Sequence, residues 1–149
     1  MKIRNPRTGE DDYEIAPLDG SALETCAAQM RAAQIAWAAY SPSQRCKILL
    51  KFADAIERHR AAIADALIQD TGRAAISQIE IDGVIGMIKR CEGSAPFMIA
   101  RAMAKDRQTS ISSISTSIQL VPYALVGVIS PWNFPLTLAL IDAISALAA

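Results

Sequence analysis

The sequence predicts an α/β protein that is mostly helical, with an N-terminal hairpin, an exposed β segment and, at its end, the first strand and helix of an α/β sheet. Three observations support this fold class. The chain is 52% apolar and 20% charged, which excludes a disordered polymer. Apolar residues recur at helical spacing through most of the first two thirds. The last third changes to a serine- and isoleucine-rich run and then to "ALVGVIS", and both runs favour strands.

The first elements are a hairpin and a helix. Thr8-Gly9 is a turn signal between two short segments that can pair. Ser21 and Glu24 have the spacing of a capping box, so we expect a helix to open at Ser21. One face of this helix is predicted to be apolar, and it carries Leu23, Cys26, Ala27, Met30, Ala33, Trp37 and Ala38.

A second helix is predicted from "SPSQ", with Ser41 as its cap, Pro42 at its first position and Gln44 reaching back. Gly72 is expected to end it. Its predicted apolar stripe consists of Leu49, Phe52, Ala53, Ile56, Ile63 and Leu67.

A third helix is predicted over residues 74–92, with Ile76, Ile79, Val84, Met87, Ile88 and Cys91 facing inward. Gly83 and Gly86 lie inside it, where each either costs about 1 kcal/mol against alanine or marks close helix contact. Pro96 is expected to break the helix, and "FMIARAMAK" then predicts a further short helix.

The run "DRQTSISSISTSIQLV" predicts a hairpin or a pair of exposed edge strands, which would invite pairing with another chain. A serine-rich flexible linker is the alternative. The next run, "ALVGVIS", is predicted to be a strand covered on both faces, as in a parallel sheet. "LTLALIDAISALAA" is predicted to be the helix that follows this strand.

Charge and cysteine usage exclude several classes of function. Fifteen basic residues balance fifteen acidic ones, so we expect no nucleic-acid partner. The three cysteines form no C-x-x-C pair, so neither a disulfide framework nor a metal site is expected. The start "MKIRNPRTGE" lacks a signal peptide, which indicates a cytoplasmic protein. Residues 120–149 are nearly uncharged, but their prolines interrupt any membrane helix, so no membrane partner is expected.

The residues contain no complete catalytic set. Cys26, Cys46 and Cys91 all fall on or near apolar helix faces, where we expect buried, unreactive thiols. His59 lies among charged residues and is expected to be solvated. The glycines match neither a dinucleotide-binding fingerprint nor a phosphate-binding loop.

The stretch "ISPWNFP" is the strongest candidate for a functional site. It follows the predicted strand at its carboxyl end, where open α/β sheets bind ligands. Pro131 and Pro135 stiffen the bend that holds Trp132 and Asn133. The Asn133 side chain is a neutral donor suited to stabilising a developing oxyanion. A structural role is the alternative, in which Asn133 caps the next helix and Trp132 packs.

"GVISPWNFPLTLAL…SALAA" strongly resembles the segment that begins the cofactor-binding domain of the aldehyde dehydrogenase superfamily. The likeness continues upstream: "NPRTGE" looks like the family's "NPxTGE" hairpin, and "AWAAYSPSQRCKILLKFADAIERHR" is similar to its early helices. "DTGR" stands where "ETGK" is usual, and the serine-rich run occupies the place of the family's oligomerisation segment. The resemblance covers nearly the whole chain and implies an N-terminal portion of an ALDH-like fold with a Rossmann-like sheet.

The resemblance implies NAD- or NADP-dependent oxidation of an aldehyde to an acid. In relatives the asparagine of "PWN" donates to the oxyanion, which carries over to Asn133, and the residues before it line the cofactor cleft, which carries over to Ile129, Ser130, Pro131 and Trp132. The family's catalytic cysteine and general-base glutamate lie beyond Ala149, and none of the three cysteines aligns with that cysteine. The sequence departs from the family at two places: Ala124 stands where a glycine is usual, and Ile141-Asp142 where "WK" is common. The identity of the aldehyde substrate is therefore not determined by the resemblance.

These considerations divide the chain into three parts: a hairpin and helical part (1–106), an oligomerisation-type β segment (107–121) and the start of a cofactor-binding α/β domain (122–149). We expect an N-terminal fragment of an aldehyde dehydrogenase that is inactive alone and does not bind NAD or NADP. A non-enzymatic helical self-association module is the alternative. In either case we expect a homo-oligomer that forms through strand pairing or exchange.

Overall fold

The computed structural model describes residues 1–103 and 107–149. Its elements are two short strands, four helices, two further short strands and a last helix: β1 (Lys2–Arg4), β2 (Asp11–Glu14), α1 (Gly20–Ala38), α2 (Pro42–Arg58), α3 (Arg60–Thr71), α4 (Ala74–Ala102), β3 (Arg107–Gln108), β4 (Ser115–Thr116) and α5 (Pro135–Ala148). The chain is therefore mostly helical, as the sequence predicts.

The predicted N-terminal hairpin is present. Strands β1 and β2 pair antiparallel, with Ile3 opposite Tyr13 and an irregularity between Ile3 and Arg4. Gly9 has φ +81°, a value that glycine adopts without steric cost, so the Thr8-Gly9 turn forms as expected. The Tyr13 hydroxyl donates to Asp70 Oδ1 at 3.1 Å, and this bond attaches the hairpin to α3.

Helix α1 begins two residues earlier than predicted, because Asp19 rather than Ser21 is its N-cap. Asp19 Oδ1 accepts a hydrogen bond from the backbone N–H of Ala22 at 2.7 Å, and this bond lowers the pKa of the Asp19 carboxyl. The predicted capping box of Ser21 and Glu24 is wrong, because the Ser21 hydroxyl itself donates to Asp19 at 2.8 Å. The predicted apolar face of α1 is not buried: none of its residues is, and Leu23 is 61% exposed.

The second predicted helix begins as expected but is divided in two. Ser41 accepts from the Gln44 backbone N–H at 3.3 Å while Gln44 Oε1 accepts from the Ser41 N–H at 2.8 Å, so the capping box is confirmed. The helix breaks at His59, and Arg60 then donates to Glu57 and Asp82 at distances down to 2.6 Å, which joins α2, α3 and α4. Gly72, with φ +73°, ends α3 as predicted.

Helix α4 is longer than predicted, with 29 residues, and the expected break at Pro96 is wrong. A proline inside a helix costs about 3 kcal/mol, and tertiary packing of the helix offsets this cost here. Ala95, next to the proline, packs against the core. The separate helix predicted for "FMIARAMAK" is instead the end of α4 as far as Ala102, and its residues 104 and 105 lie outside the described part of the chain.

The core lies between α2, α3, α4 and α5. Its buried apolar residues are Cys46, Leu49, Ala53, Ile56, Ala64, Leu67, Ile81, Val84, Ile85, Ile88, Ile144 and Ala148. Two residues that were expected to face inward do not: Phe52 is 42% and Ile79 is 60% exposed. Ile81 is fully buried instead, because the face of α4 that meets α2 is rotated relative to the one we predicted.

The β segment forms a minimal hairpin. Gln108 pairs with Ser115 and Arg107 with Thr116, so the hairpin alternative is supported over the linker, although each strand has only two residues. The strand predicted for "ALVGVIS" is not formed. Residues 124–130 lie outside any strand, because no strand among the described residues lies beside them to accept their backbone hydrogen bonds.

Helix α5 is predicted correctly, and buried polar groups hold both of its ends. At its C-terminal end, Arg45, which is 7% exposed, donates to the carbonyl oxygens of Ala148 at 3.1 Å and Ala149 at 2.9 Å. Trp37 Nε1 donates to the Leu147 carbonyl at 3.0 Å. A cation at this end of a helix also complements the helix dipole. Over residues 1–103 and 107–149, no helix combines the length and the apolar character needed to cross a bilayer.

Candidate functional site

The candidate site is the corner formed by residues 129–133, which leads into α5. Its apolar side chains are open to solvent: Ile129 is 100% and Trp132 is 80% exposed. Ser130 is half-buried and Pro131 is exposed. The alternative in which Trp132 packs into the protein is therefore not what the structure shows. The corner presents an apolar surface with one hydroxyl and one amide.

Asn133 is exposed, and its main chain and side chain are in different situations. Its carbonyl oxygen accepts a hydrogen bond from Arg73 Nη2. Within the described residues its side-chain amide has no hydrogen-bond partner. The N-cap residue of α5 is Phe134, and no side chain makes a capping hydrogen bond there, so Asn133 does not cap α5. The side-chain N–H groups remain available to an acceptor outside these residues.

Arg73 contacts the residues at the end of the corner through its guanidinium group. Its Cζ atom lies 4.9 Å from the centre of the Phe134 ring, a distance at which a cation is attracted to an aromatic face. Its own backbone is fixed on both sides: its N–H donates to Thr71 Oγ1 at 3.3 Å, and its carbonyl accepts from the Ser77 hydroxyl at 2.8 Å. Arg73 Nε is buried and lacks a hydrogen-bond partner among the described residues.

Glu80 completes the support and was missed by the sequence reasoning. This carboxylate is only 2% exposed, and its Oε2 atom accepts from the backbone N–H groups of Leu136 at 3.1 Å and Thr137 at 3.0 Å. These are first-turn amides of α5, which have no partner within the helix. The sequence could have indicated this role, because Glu80 is a charged residue on the same face of α4 as Ser77, Ile81 and Val84, which are buried.

Four of the five corner residues 129–133 are exposed, and Ser130 is half-buried. A groove of about 650 Å³ lies between α1, residues 122–128 and α5, but the corner residues 129–133 do not line it. The chemical groups that the corner offers are therefore an amide donor, one half-buried hydroxyl and the exposed apolar side chains of Ile129 and Trp132. A reacting group would have to be supplied from outside residues 1–103 and 107–149.

None of the cysteines or the histidine joins the corner. Cys46 is buried, and burial is the main cause that raises the pKa of its thiol. Its Sγ atom lies 4.0 Å from the Cys91 carbonyl oxygen, and Cys91 is half-buried. Cys26 is exposed, so the expectation that all three thiols are buried is wrong: no residue of α1 is buried, and its contact with α5 is made near its other end, by Trp37. His59 is exposed, as predicted.

Metal-binding side chains are not grouped. Within the part of the chain that the structure describes, no three histidine, cysteine, aspartate or glutamate side chains are close enough together to hold a metal ion.

Comparison with known proteins identifies the class of protein. The model of the aldehyde dehydrogenase family matches residues 1–149, so this chain belongs to the aldehyde dehydrogenase family. The family that the sequence motifs suggested is thereby confirmed. The helical fold with an N-terminal hairpin agrees with the corresponding portion of that family's structures.

Three relatives show how much of a family member the chain represents. A solved structure from Anabaena variabilis, assigned to the aldehyde dehydrogenases as PutA, is 42% identical with a TM-score of 0.92, and the match covers 99% of this chain and 31% of that one. The NAD-dependent benzaldehyde dehydrogenase of Corynebacterium glutamicum is 27% identical with a TM-score of 0.86, covering 99% and 31%.

The fluoroacetaldehyde dehydrogenase of Streptantibioticus cattleyicolor is 29% identical over 148 residues, which are 97% of this chain and 28% of the relative. The chain thus spans less than a third of the length of the relatives that it matches, and it corresponds to a fragment of an aldehyde dehydrogenase. The self-association module is not favoured by these matches.

Proposed function

We propose that this chain supplies the N-terminal part of an NAD- or NADP-dependent aldehyde dehydrogenase, an enzyme that oxidises an aldehyde to a carboxylic acid. The observation that carries the proposal is the state of Asn133. Its side-chain amide faces solvent without a partner among the described residues, while its carbonyl and the following helix are held by Arg73 and Glu80. A donor that is fixed in place and still free is what stabilisation of a developing charge requires.

The proposed role of Asn133 is to donate a hydrogen bond to the oxyanion that forms when a thiolate attacks the aldehyde carbonyl. The thiolate forms a bond to the carbonyl carbon, and the carbonyl electron pair moves to oxygen, where the amide N–H meets it. The donor is neutral and takes no proton from the intermediate. Removing a single donor of this kind typically slows turnover about 10²- to 10³-fold.

The cofactor proposal concerns Ile129, Ser130, Pro131 and Trp132. Their exposed apolar faces and the Ser130 hydroxyl fit one wall of a site for a flat, partly polar group such as a dinucleotide. The sequence contains no glycine-rich phosphate loop, so the other contacts to the cofactor would come from outside these residues. When bound, the nicotinamide group would accept hydride, and the residues of this chain would orient it and exclude water.

We also propose that the 149 residues alone are inactive towards aldehydes. Within the described part of the chain, no cysteine lies at the corner, and the buried Cys46 is a poor nucleophile because the pKa of its thiol is raised. The purified chain should therefore produce no NADH or NADPH from any aldehyde. Turnover above the buffer blank would contradict this proposal.

Asn133 can be tested in a chimera in which residues 1–149 replace the matching portion of the Anabaena variabilis protein, chosen for its identity of 42% and TM-score of 0.92. The chimera should reduce NAD or NADP when aldehydes are added. Asn133→Ala should lower kcat by about 10²- to 10³-fold with little change in KM. Gln29→Ala, which removes an exposed amide on α1, is the matched control and should keep the parent rate.

The result decides the proposal in either direction. A folded chimera that oxidises no aldehyde would refute the proposed function. An active chimera in which Asn133→Ala retains full kcat would refute the role of Asn133 while leaving the reaction class intact. Thermal unfolding of each variant shows whether a loss of rate reflects loss of folded protein.

We further propose that the chain assembles as a homo-oligomer through residues 107–121 and that residues 122–149 belong to the cofactor-binding domain of the complete enzyme. The β3–β4 hairpin is short, and Ile111, Ile114 and Ile118 beside it are 56%, 46% and 56% exposed. Unpaired strand edges with apolar neighbours favour pairing between chains. Light scattering should give the mass of a dimer or larger species, and Ile118→Lys should shift it towards the monomer. A monomeric wild-type chain at high concentration would oppose the proposal.

A further inference from the structure

We infer that Glu80 is a positioning residue for catalysis: its buried carboxylate fixes the start of α5 and so sets the direction of the Asn133 side chain. This inference rests on the proposed function of Asn133. Glu80 and Asn133 are far apart in sequence, and Glu80 reaches the start of α5 only because α4 and α5 pack against each other. Arg73, the N-cap residue of α4, also contacts this region through the Asn133 carbonyl.

The environment of Glu80 shows that its role is specific. A carboxylate at 2% exposure is costly to bury unless hydrogen bonds compensate it. Here both compensating donors come from α5, the backbone N–H groups of Leu136 and Thr137. The positive end of the α5 dipole adds to the attraction. If α5 rotated or shifted along its axis by one residue, both bonds would be lost together.

Four further contacts leave α5 little freedom. Arg73 binds the carbonyl of Asn133 and lies over the Phe134 ring, which fixes the two residues just before the helix. Arg45 binds the carbonyls of Ala148 and Ala149, which fixes the far end. The main chain from the Asn133 carbonyl onward is thus anchored, and within the described residues the side chain of Asn133 makes no hydrogen bond.

The catalytic consequence follows from the precision that a hydrogen-bond donor needs. Catalytic groups are effective when held within about 0.5 Å of the productive position, and a displacement of about 1 Å can cost 10²-fold in rate. Loss of the Glu80 contacts should therefore lower kcat, because the donor is misplaced in the transition state. The aldehyde KM should change little, since Glu80 is buried and touches no substrate surface of the corner.

The first test measures the contacts themselves in the 149-residue chain. Hydrogen exchange read by mass spectrometry should show the segment with the Leu136 and Thr137 amides exchanging about 10- to 100-fold faster in Glu80→Ala than in wild type. Exchange around Ile144, further along α5, should change much less. Glu80→Gln keeps an acceptor oxygen and should remain close to wild type. Glu92→Gln, on the same helix but more exposed, is the matched control.

The second test uses the active chimera. Glu80→Ala should lower kcat by about 10- to 100-fold with KM nearly unchanged, and Glu80→Gln should restore most of the rate. If Glu80 acts through Asn133, then Glu80→Ala combined with Asn133→Ala should be no slower than Asn133→Ala alone. A residue that merely supported the fold would not give this non-additive result.

The outcomes separate the two proposals. Faster exchange together with a non-additive loss of kcat supports the inference. Additive losses, a rise in KM at constant kcat, or unchanged exchange in Glu80→Ala would overturn it. If Asn133→Ala has no effect on kcat, the proposed role of Asn133 fails, and the catalytic role of Glu80 fails with it even where exchange is faster. If Glu80→Ala does not fold, Glu80→Leu and Glu80→Gln replace it. Wild-type kcat and wild-type exchange in Glu80→Leu would contradict the inference, and so would a low kcat in a folded Glu80→Gln.

Discussion

The comparison of Ile81 with Ile79 is the sharpest test of the fold, because both are isoleucines on α4 and lie two residues apart. Ile81 is fully buried in the core, whereas Ile79 is 60% exposed. Truncating Ile81 to alanine removes three carbon atoms, worth about 0.8 kcal/mol each by transfer, so the transfer loss is about 2.4 kcal/mol. The remaining cavity adds to this loss, and we expect about 3–4 kcal/mol, within the usual range for such substitutions. For a chain of this size, Tm should fall by roughly 6–16 °C.

The measurement is equilibrium unfolding in urea, followed by circular dichroism and by tryptophan fluorescence on the 149-residue chain. Ile81→Ala should move the midpoint to lower urea at an unchanged slope. Ile79→Ala should change the free energy of unfolding by less than about 0.5 kcal/mol, as substitutions at open surface positions do. Equal losses in the two variants, or a larger loss for Ile79→Ala, would show that the inward face of α4 has been placed wrongly.

The remaining predictions concern two glycines and two cysteines. Gly72→Ala should destabilise the chain by about 1–2 kcal/mol, because φ is +73° and the added Cβ would lie 3.3 Å from Arg7 Cγ. Gly83→Ala, in open space inside α4, should stabilise the chain by up to about 1 kcal/mol. Urea midpoints that move in the same direction in the two variants would contradict these predictions. Cys26 should react with a maleimide in the native chain, while the buried Cys46 thiol, whose pKa is raised, should react only after unfolding; mass spectrometry of labelled peptides identifies the modified thiol, and early labelling of Cys46 would oppose its placement.

The parts of the fold that short-range rules govern were predictable from the sequence. The hairpin turn needs a glycine at positive φ, and Gly9 supplies it. The start of α2 needs side-chain partners for its first amides, and Ser41 and Gln44 supply them three residues apart. The end of α3 at Gly72 follows from the same kind of local geometry. These features depend on a few neighbouring residues, so no knowledge of the rest of the chain is required.

The sequence indicated the corner and Asn133 but not the residues that hold the corner in place. The proline-bracketed corner and Asn133 stand out in the sequence, because the two prolines restrain the backbone that carries the polar amide. The groups that hold the corner, Arg73 and Glu80, are about 60 and 53 residues away along the chain. Glu80 looks like an ordinary helix residue in the sequence, since its partners are backbone N–H groups that carry no side-chain pattern, and nothing near Arg73 in the sequence indicates its contact with the distant Phe134 ring.

By itself, the sequence determined the hairpin, the start of α2, the end of α3, helix α5 and the family. Only the tertiary structure decided that Pro96 continues α4, that Ile81 rather than Ile79 is buried, that Cys26 is exposed, and that residues 124–130 do not form a strand. The physical reason is the same in each case. Helix caps and turns are satisfied by atoms a few residues away, whereas burial and strand formation require a surface or a backbone partner that only packing between distant segments can provide.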